Sequence, residues 1–218
     1  MDNMDVFLNK VDPEKFRRTN GLWNDMRLNA RSNIGTVSEL INQKTFLCKE
    51  EWEEYYYEHG RSREYLAQVG QRLHDIASQV FDISLDECIE CVRFRVICET
   101  WNGIIVREAN TVNRLSQMFG DKFLFKKTEG KIDTEYAVDY EMYFDDKLMC
   151  GIQIKPNSYL NSNEDYVLEA KKYNEERNGI YSKLFGVSVF TLYSDMSGYI
   201  TPSTEFEELQ KINSQVFS

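Results

Sequence analysis

The hydrophobic pattern of the chain changes its period near residue 122. Before this point, apolar residues recur every three to four positions, which indicates amphipathic helices. After it, two segments alternate apolar and polar residues, which is typical of strands with one buried face. The sequence therefore predicts a helical first part followed by a part that contains a sheet.

Start signals divide the helical part into separate helices. Residues 36–39 resemble a helix start, and residues 62–81 carry an apolar stripe at helical spacing. Ser84 is expected to begin a further helix, with Glu87 as its capping-box partner. The stripe of this helix continues to Phe119, and Gly103 marks either a break or a close packing point within it.

The second part is predicted to contain strands that surround one further helix. The predicted segments are strands at 123–125, 135–144 and 148–155, a helix at 163–178 and a buried strand at 187–193. The last strand follows a helical crossover, so it can lie parallel to a central strand. We expect an α/β fold in which a helix, three mainly antiparallel strands, a helix and a strand form the core at 84–218. A helical region at 1–83 precedes this core.

Composition limits the function classes without selecting one. The 218 residues carry a net charge of −10, which argues against nucleic acid as a partner, although lysine and arginine pairs cluster locally. No apolar run is long enough to span a membrane, and the charged N-terminus resembles no signal peptide, so a soluble cytoplasmic protein is expected. Cys88 and Cys91 form a lone CxxC within a helical pattern, which favours packing over a metal or redox role.

Candidate chemistry lies on the two alternating strands. Asp139 and Glu141 share the face opposite the apolar even-numbered residues of 135–144, and Gln153 and Lys155 share the corresponding face of 148–155. A three-residue loop at 145–147 would pair Phe144 with Leu148 and seat Asp139 opposite Gln153. The Cβ atoms of that pair would lie roughly 4.5–5.5 Å apart.

These residue types suit hydrolysis of a phosphodiester with Mg²⁺, a cation that prefers oxygen ligands and needs only one or two carboxylates. Asp139 would be the main ligand, with the side-chain oxygen of Gln153 and the carbonyl of Ile154 as neutral ligands. Lys155 would orient the attacking water and offset charge on the phosphate. Glu108 falls on the apolar stripe of its helix, where a carboxylate is costly unless it is paired or metal-bound, so it is the second acidic candidate.

The combination resembles the PD-(D/E)xK nuclease superfamily. Val138-Asp139 matches the PD, Gln153-Ile154-Lys155 matches the (D/E)xK, and Glu108 matches the helix acid. Gln153 stands where an acid is usual, which leaves the number of metal ions open. The chain is further similar to the MjaI-like group of type II restriction endonucleases in the segments 34–40, 52–56, 100–103 and 150–159. That resemblance implies Mg²⁺-dependent cleavage of double-stranded DNA at a short palindrome, usually by a homodimer.

DNA contacts are expected from two polar segments. One is an extended run after the active-site strand, and the other precedes Gly35; their candidates are Asn157, Ser158, Tyr159, Asn161, Arg27, Arg31 and Asn33. Three alternatives stay open at this point: a repair, phage or RNA-directed nuclease with the same core, a catalytically inactive DNA-binding relative, and an acidic interaction protein that carries the string by chance.

Overall fold

The computed structural model describes residues 10–129 and 131–216, which form two compact units. The first unit comprises residues 10–41 and Thr45–Trp101, and the second comprises Asn42–Lys44 and residues 102–216. The boundary thus falls at 101/102, whereas the sequence pattern suggested 83/84.

The first unit is helical. Its elements are α1 (Pro13–Asp25), α2 (Arg31–Ile34), α3 (Val37–Ile41), α4 (Lys49–His59), α5 (Arg63–Ala77), α6 (Leu85–Arg93) and a π-helical segment, Phe94–Glu99. The predicted capping box is present at the start of α6, where Ser84 and Glu87 each accept a hydrogen bond from the other's backbone N–H. Helix α5 starts after its cap Ser62 as predicted, but it ends at Ala77 rather than at residue 81.

Close packing of α5 on α6 explains why the boundary lies beyond 84. A Cβ atom on Gly70 of α5 would lie 2.7 Å from the Cα atom of Ile89 in α6, so only glycine permits this approach. Cys88 and Cys91 are fully buried in α6, and burial raises the pKa of the Cys88 thiol to about 12. The complete burial of both cysteines and the raised pKa of the Cys88 thiol favour the packing role expected for the CxxC.

The second unit contains the sheet. Its elements are a π-helical segment, Asn102–Val106, and then α7 (Arg107–Phe119), β1 (Phe123–Lys127), α8 (Lys131–Tyr136), β2 (Tyr140–Phe144), β3 (Lys147–Pro156), α9 (Asn157–Leu160), α10 (Asp165–Phe185), β4 (Val189–Ser194) and α11 (Thr204–Val216). The sheet order is β1-β2-β3-β4, with β1–β2 and β2–β3 antiparallel and β3–β4 parallel. The predicted α/β class and the parallel last strand are confirmed.

The β2–β3 hairpin differs from the prediction at its tip. Asp145 and Asp146 both have positive φ, at 46° and 60°, and form a two-residue turn that pairs Phe144 with Lys147 rather than with Leu148. A bulge then places Met149 as an extra residue on β3, since Tyr143 pairs with Leu148 while Met142 pairs with Cys150. Beyond the bulge the register is the one that the alternation predicts.

The segment before β2 is not a strand, which corrects the prediction for 135–144. Lys131–Tyr136 forms α8, and Ala137 ends it at φ 55° with its N–H donating to the carbonyl of Asp133. Val138 is fully buried, so the apolar alternation extends into this link although the backbone is not extended there. Strand β2 begins at Tyr140.

The core of the second unit lies between α7 and one face of the sheet. Buried residues Val112, Leu115 and Phe119 of α7 join the apolar cluster of the strands, which includes Met142 and Ile152. This packing sets the face of α7 that meets the sheet, and Glu108 lies one turn before Val112 on that face. No helix of the described residues is long and apolar enough to cross a membrane.

Candidate active site

Asp139 and Gln153 meet where β2 and β3 reach the same end of the sheet. The last paired residues are Tyr140 and Ile152, and the N–H of Asp139 donates to the carbonyl of Ile152 at 2.9 Å. The paired ladder ends there, and the side chain of Asp139 accepts from the N–H of Ile154, so Asp139 contacts the two residues that flank Gln153 on β3.

The carboxylate of Asp139 is held in place by the neighbouring strand. Asp139 is 9% exposed, and its Oδ2 accepts a hydrogen bond from the N–H of Ile154 at 2.6 Å. A charge-assisted bond of this kind fixes the carboxylate without neutralising it. The backbone of Ile154, a predicted source of a carbonyl ligand, thus contacts Asp139 directly.

Glu108 is buried on α7, as its position on the apolar stripe predicts. It is 5% exposed, and Lys127 of β1 donates to its Oε2 at 2.9 Å. Burial raises the pKa of Glu108, and the nearby charge of Asp139 raises it further, while Lys127 opposes both effects. Burial alone would lower the pKa of Lys127, but Glu108 raises it above its ordinary value, so the amine stays charged.

Asp133 of α8 adds a third carboxylate that the sequence pattern did not identify. Burial and the charge of Asp139 raise the pKa of Asp133 to about 7, against the opposing charges of Lys127 and Lys155. Three acids and two lysines therefore act on one another electrostatically at this end of the sheet. Burial and the charge of Asp139 thus raise the pKa of both Glu108 and Asp133, and the lysines only partly oppose this.

Gln153 is 1% exposed, and its contacts depend on the amide of Asn178 in α10. With the Asn178 nitrogen directed at the carbonyls of Tyr136 and Ala137, it donates at 2.8 and 3.1 Å; the opposite orientation leaves only a 3.5 Å contact with Gln153. We prefer the first orientation because it satisfies both carbonyls. It directs the Asn178 oxygen towards Gln153, which would suit the Gln153 nitrogen, an atom otherwise buried without a partner. This exchange requires the Gln153 amide to be reversed as well, because it is the Gln153 oxygen that lies 3.5 Å from both Asn178 and the hydroxyl of Thr191. The reversed amide would turn its oxygen to the other side, where it could act as a ligand.

Lys155 lies two residues beyond Gln153 on the same strand and is half-buried. It lines a small polar recess together with Gln153 and Tyr159, and further lining comes from α10 and β4. Among the residues that the structure describes, no hydrogen bond or ion pair engages the Lys155 ammonium. It is therefore available to a substrate oxygen or to water.

Arg107, like Lys127, is a cation that the sequence pattern did not identify. It is 8% exposed, its Nε is buried without a hydrogen-bond partner, and burial lowers its pKa. Glu108, Asp139 and Tyr159 are the neighbours whose charges counter this shift. A buried guanidinium with an unused donor is suited to an anionic substrate.

The donor set fits Mg²⁺. Asp139 and Glu108 supply carboxylate oxygens, and Gln153 and Ile154 supply neutral oxygens. Within residues 10–129 and 131–216, no three Asp, Glu, His or Cys side chains are grouped as a ready-made cation site. Mg²⁺ does not require such a group, because it retains several waters beside one or two carboxylates. Because burial and the charge of Asp139 raise the pKa of Glu108 and of Asp133, added positive charge would be stabilising here.

The DNA-contact candidates fall in both units. Asn157–Leu160 is a helical turn rather than the predicted extended run, and Asn157 accepts a hydrogen bond from Thr201 at 2.8 Å, so its side chain has a structural partner. Ser158 and Asn161 are exposed, and Tyr159 is half-buried. Arg27, Arg31 and Asn33 belong to the first unit.

One of the missed residues had a readable signal. Lys127 is in phase with Phe123 and Phe125 on β1, and a lysine on the inward face of a strand needs a buried acid. Asp133 had no such signal, because it lies before the predicted strand on a short helix that the sequence pattern did not predict.

Comparison with known proteins identifies the family of the chain. The sequence profile of the MjaI restriction endonuclease family matches residues 19–202, which is most of the chain and includes all of the site residues described above. No curated protein matches the chain, and no solved structure does. The chain therefore belongs to the MjaI restriction endonuclease family, which makes it a nuclease that takes DNA as its substrate.

Proposed function

We propose that the protein is a type II restriction endonuclease that acts in the cytoplasm as a homodimer. It hydrolyses both strands of DNA at a short palindrome and uses Mg²⁺. The observation that supports this proposal is the contact of Asp139 with Ile152 and Ile154, the two residues that flank Gln153 on the strand that also carries Lys155. The second unit would hold the chemistry, and the helical N-terminal region would serve recognition, dimerisation or both.

Each side chain has a distinct task in this proposal. Asp139 and Glu108 bind the cation, and Gln153 contributes its amide oxygen or holds a bound water. When bound, Mg²⁺ lowers the pKa of a water and polarises the phosphate. Lys155 orients the water that attacks phosphorus and neutralises charge on the phosphate as the bond to the 3′-oxygen breaks. The products are a 5′-phosphate and a 3′-hydroxyl, and the 3′-oxygen takes up a proton.

Substrate contacts follow from exposure. Ser158, Tyr159 and Asn161 lie just beyond the active-site strand, where hydroxyl and amide groups suit phosphates and base edges. Asn157 positions this turn through its bond with Thr201. Arg27, Arg31 and Asn33 would contact DNA from the first unit.

The test is cleavage of plasmid and phage DNA with Mg²⁺ or with EDTA. Discrete fragments are expected with Mg²⁺, and sequencing of their ends would give the palindrome. A smear would favour a non-specific repair or phage nuclease instead, and no cleavage with any divalent cation would favour an inactive DNA-binding relative. Sedimentation of the purified protein tests the dimer.

Two variants test the site itself. Asp139→Ala and Lys155→Ala should each lower the cleavage rate by more than about a hundredfold. Lys147→Ala is the matched control, because this exposed lysine lies at the other end of the same strand. If either site variant cuts as fast as Lys147→Ala, the assignment of the catalytic residues is wrong.

A further inference from the structure

A recess in the first unit carries positive charge that the proposed active site does not use. Its volume is about 220 Å³, and it lies between the loop around Gly35 and the α4–α5 junction. Its lining residues are Arg31, Gly35, Thr36, Leu40, His59, Gly60 and Arg61. Two arginines and a threonine hydroxyl thus face one small space in a chain whose net charge is −10.

The backbone around the recess is held firmly. Tyr56 is fully buried, and its hydroxyl donates to the carbonyl of Ile34 at 2.8 Å, directly before Gly35. Gly35 has φ 73°, a conformation that favours glycine. A Cβ atom on Gly60 would lie 2.8 Å from the carbonyl oxygen of Tyr56 and 3.0 Å from Leu40, so this wall has no room for a side chain.

Arg61 is prearranged within this frame. One terminal nitrogen donates to the carbonyl of Ser32 at 3.1 Å, and the guanidinium lies 5.1 Å from the centre of the Tyr65 ring. Its Nε is buried and has no hydrogen-bond partner. An arginine whose orientation is already fixed loses little entropy when it binds an anion, and its planar group of donors matches a phosphate.

Arg31 is the arginine of the recess whose side chain can exchange its partner. It is exposed, and it pairs with Glu39 at 3.2 Å, a surface ion pair that is weak and easily exchanged. His59 is stacked on Tyr55, and its Nδ1 lies 3.0 Å from the Tyr55 carbonyl, so it forms a wall of the recess. The lining residues that can donate to an anion through free side-chain groups are therefore the two arginines and Thr36.

We propose that this recess binds one phosphate of the DNA backbone, with Arg61 as the fixed donor and Arg31 released from Glu39 as the second. This inference rests on the proposed DNA-directed function and adds Arg61 and Thr36 to the contact surface. It also gives Arg31, a candidate from the sequence alone, a specific partner on the substrate.

The test measures affinity for a short fluorescent DNA duplex of random sequence, in EDTA so that no cleavage occurs. Loss of one phosphate contact should reduce the slope of log K against log salt by about 0.9, which corresponds to about tenfold weaker binding at about 50 mM salt and almost none near 1 M. Arg61→Gln and Arg31→Gln should each show this change. The double variant should lose less than the sum, because both arginines bind the same phosphate.

A variant that is expected to gain affinity for the duplex distinguishes a changed phosphate contact from misfolding. Glu39→Gln removes the carboxylate that competes for Arg31, so this variant should bind the duplex more tightly than the wild type. Arg63 and Glu54 form an exposed pair, also at 3.2 Å, that does not line the recess, and Arg63 lies in addition 3.7 Å from Glu53. Arg63→Gln and Glu54→Gln are therefore the controls for a change of one charge.

Two results would overturn the inference, and they are distinguishable. If the wild type binds the duplex but the Arg31 and Glu39 variants match the Arg63 and Glu54 controls in affinity and salt slope, the recess does not take a phosphate. If the wild type itself binds no duplex at low salt, the proposed DNA-directed function fails, and the inference fails with it. Far-UV circular dichroism of each variant identifies any that is unfolded, and Arg31→Gln, at an exposed side chain, keeps the test decisive if Arg61→Gln is one of them.

Discussion

Replacing Lys127 by methionine removes the cation that pairs with Glu108 while keeping most of the apolar stem. The ammonium lies 2.9 Å from Oε2 of Glu108, and the Glu108 side chain is only 7% exposed. Removal of one partner leaves the other buried and unpaired, which is where large destabilisation arises. The metal-free variant has one way to relieve this penalty, which is to protonate Glu108.

The cost of protonating Glu108 therefore limits how much stability the variant loses. Protonating a carboxyl of ordinary pKa 4.5 at pH 7 costs about 3 kcal/mol, because each unit between pH and pKa is worth about 1.4 kcal/mol. The wild type already carries most of this penalty at pH 7, since burial and the charge of Asp139 raise the pKa of Glu108 to about 7. Lys127→Met should therefore lower the free energy of unfolding by less than about 0.5 kcal/mol at about pH 7, and by up to about 3 kcal/mol at about pH 9.

The sign of the pH dependence follows from the same carboxyl. The folded pKa of Glu108 exceeds the unfolded one, so the folded state binds more protons and loses stability as the pH rises through the folded pKa. Without Lys127 that pKa lies higher still. The difference between variant and wild type should thus be small at about pH 7 and below, and it should grow as the pH rises towards about 9.

Urea unfolding in EDTA, followed by far-UV circular dichroism at about pH 7 and pH 9, measures both effects. Lys126→Met is the matched control, because Lys126 is exposed on the same strand, and it should change stability by less than about 0.5 kcal/mol. Adding Glu108→Gln to Lys127→Met should restore most of the loss at about pH 9. Equal stability of the Lys127 and Lys126 variants at about pH 9, or a loss that does not depend on pH, would refute the reasoning.

Two further predictions concern other positions. Gln153→Glu puts a charge at a site that is 1% exposed, so the variant should lose about 3 kcal/mol in EDTA and recover most of it with Ca²⁺, as measured by the melting temperature; a shift with Ca²⁺ no larger than that of the wild type would contradict this. Gly70→Ala should cost about 1–3 kcal/mol because its Cβ meets Ile89, whereas Gly21→Ala, in helix α1 with open space around its Cβ, should gain about 0.5–1 kcal/mol; urea unfolding of the pair decides, and equal effects would exclude the close packing.

The features that could be read from the sequence are those with a local cause. The alternation along β3 fixed which face Gln153 and Lys155 share, and the spacing along α7 placed Glu108 on the buried stripe. The hairpin prediction reached the right register at Asp139 although its loop was wrong. The two-residue turn shifts the pairing by one, and the bulge at Met149 shifts it back.

The features that could not be read depend on contacts between distant residues or on single backbone angles. Lys127 reaches Glu108 only because α7 packs against the sheet at one particular height, and the local patterns of the two segments do not specify that height. The start of β2 was missed because Tyr136 and Val138 continue an apolar alternation, while the positive φ of Ala137 breaks the extended backbone. Asp133 was missed as well, because it lies on helix α8, which ends just before that point.

The glutamine at position 153 has a physical rationale in the charge of its surroundings. Burial and the charge of Asp139 already raise the pKa of Glu108 and of Asp133. A further acid beside Asp139, with almost no solvent exposure, would add a charge that only a bound cation could balance, so the metal-free protein would be less stable. A neutral amide keeps an oxygen at this position, and the hydrogen bonds of Asn178 with Tyr136 and Ala137 favour presenting that oxygen rather than the nitrogen. The departure from the usual acid is therefore consistent with a site that retains a cation ligand while limiting the cost of the metal-free state.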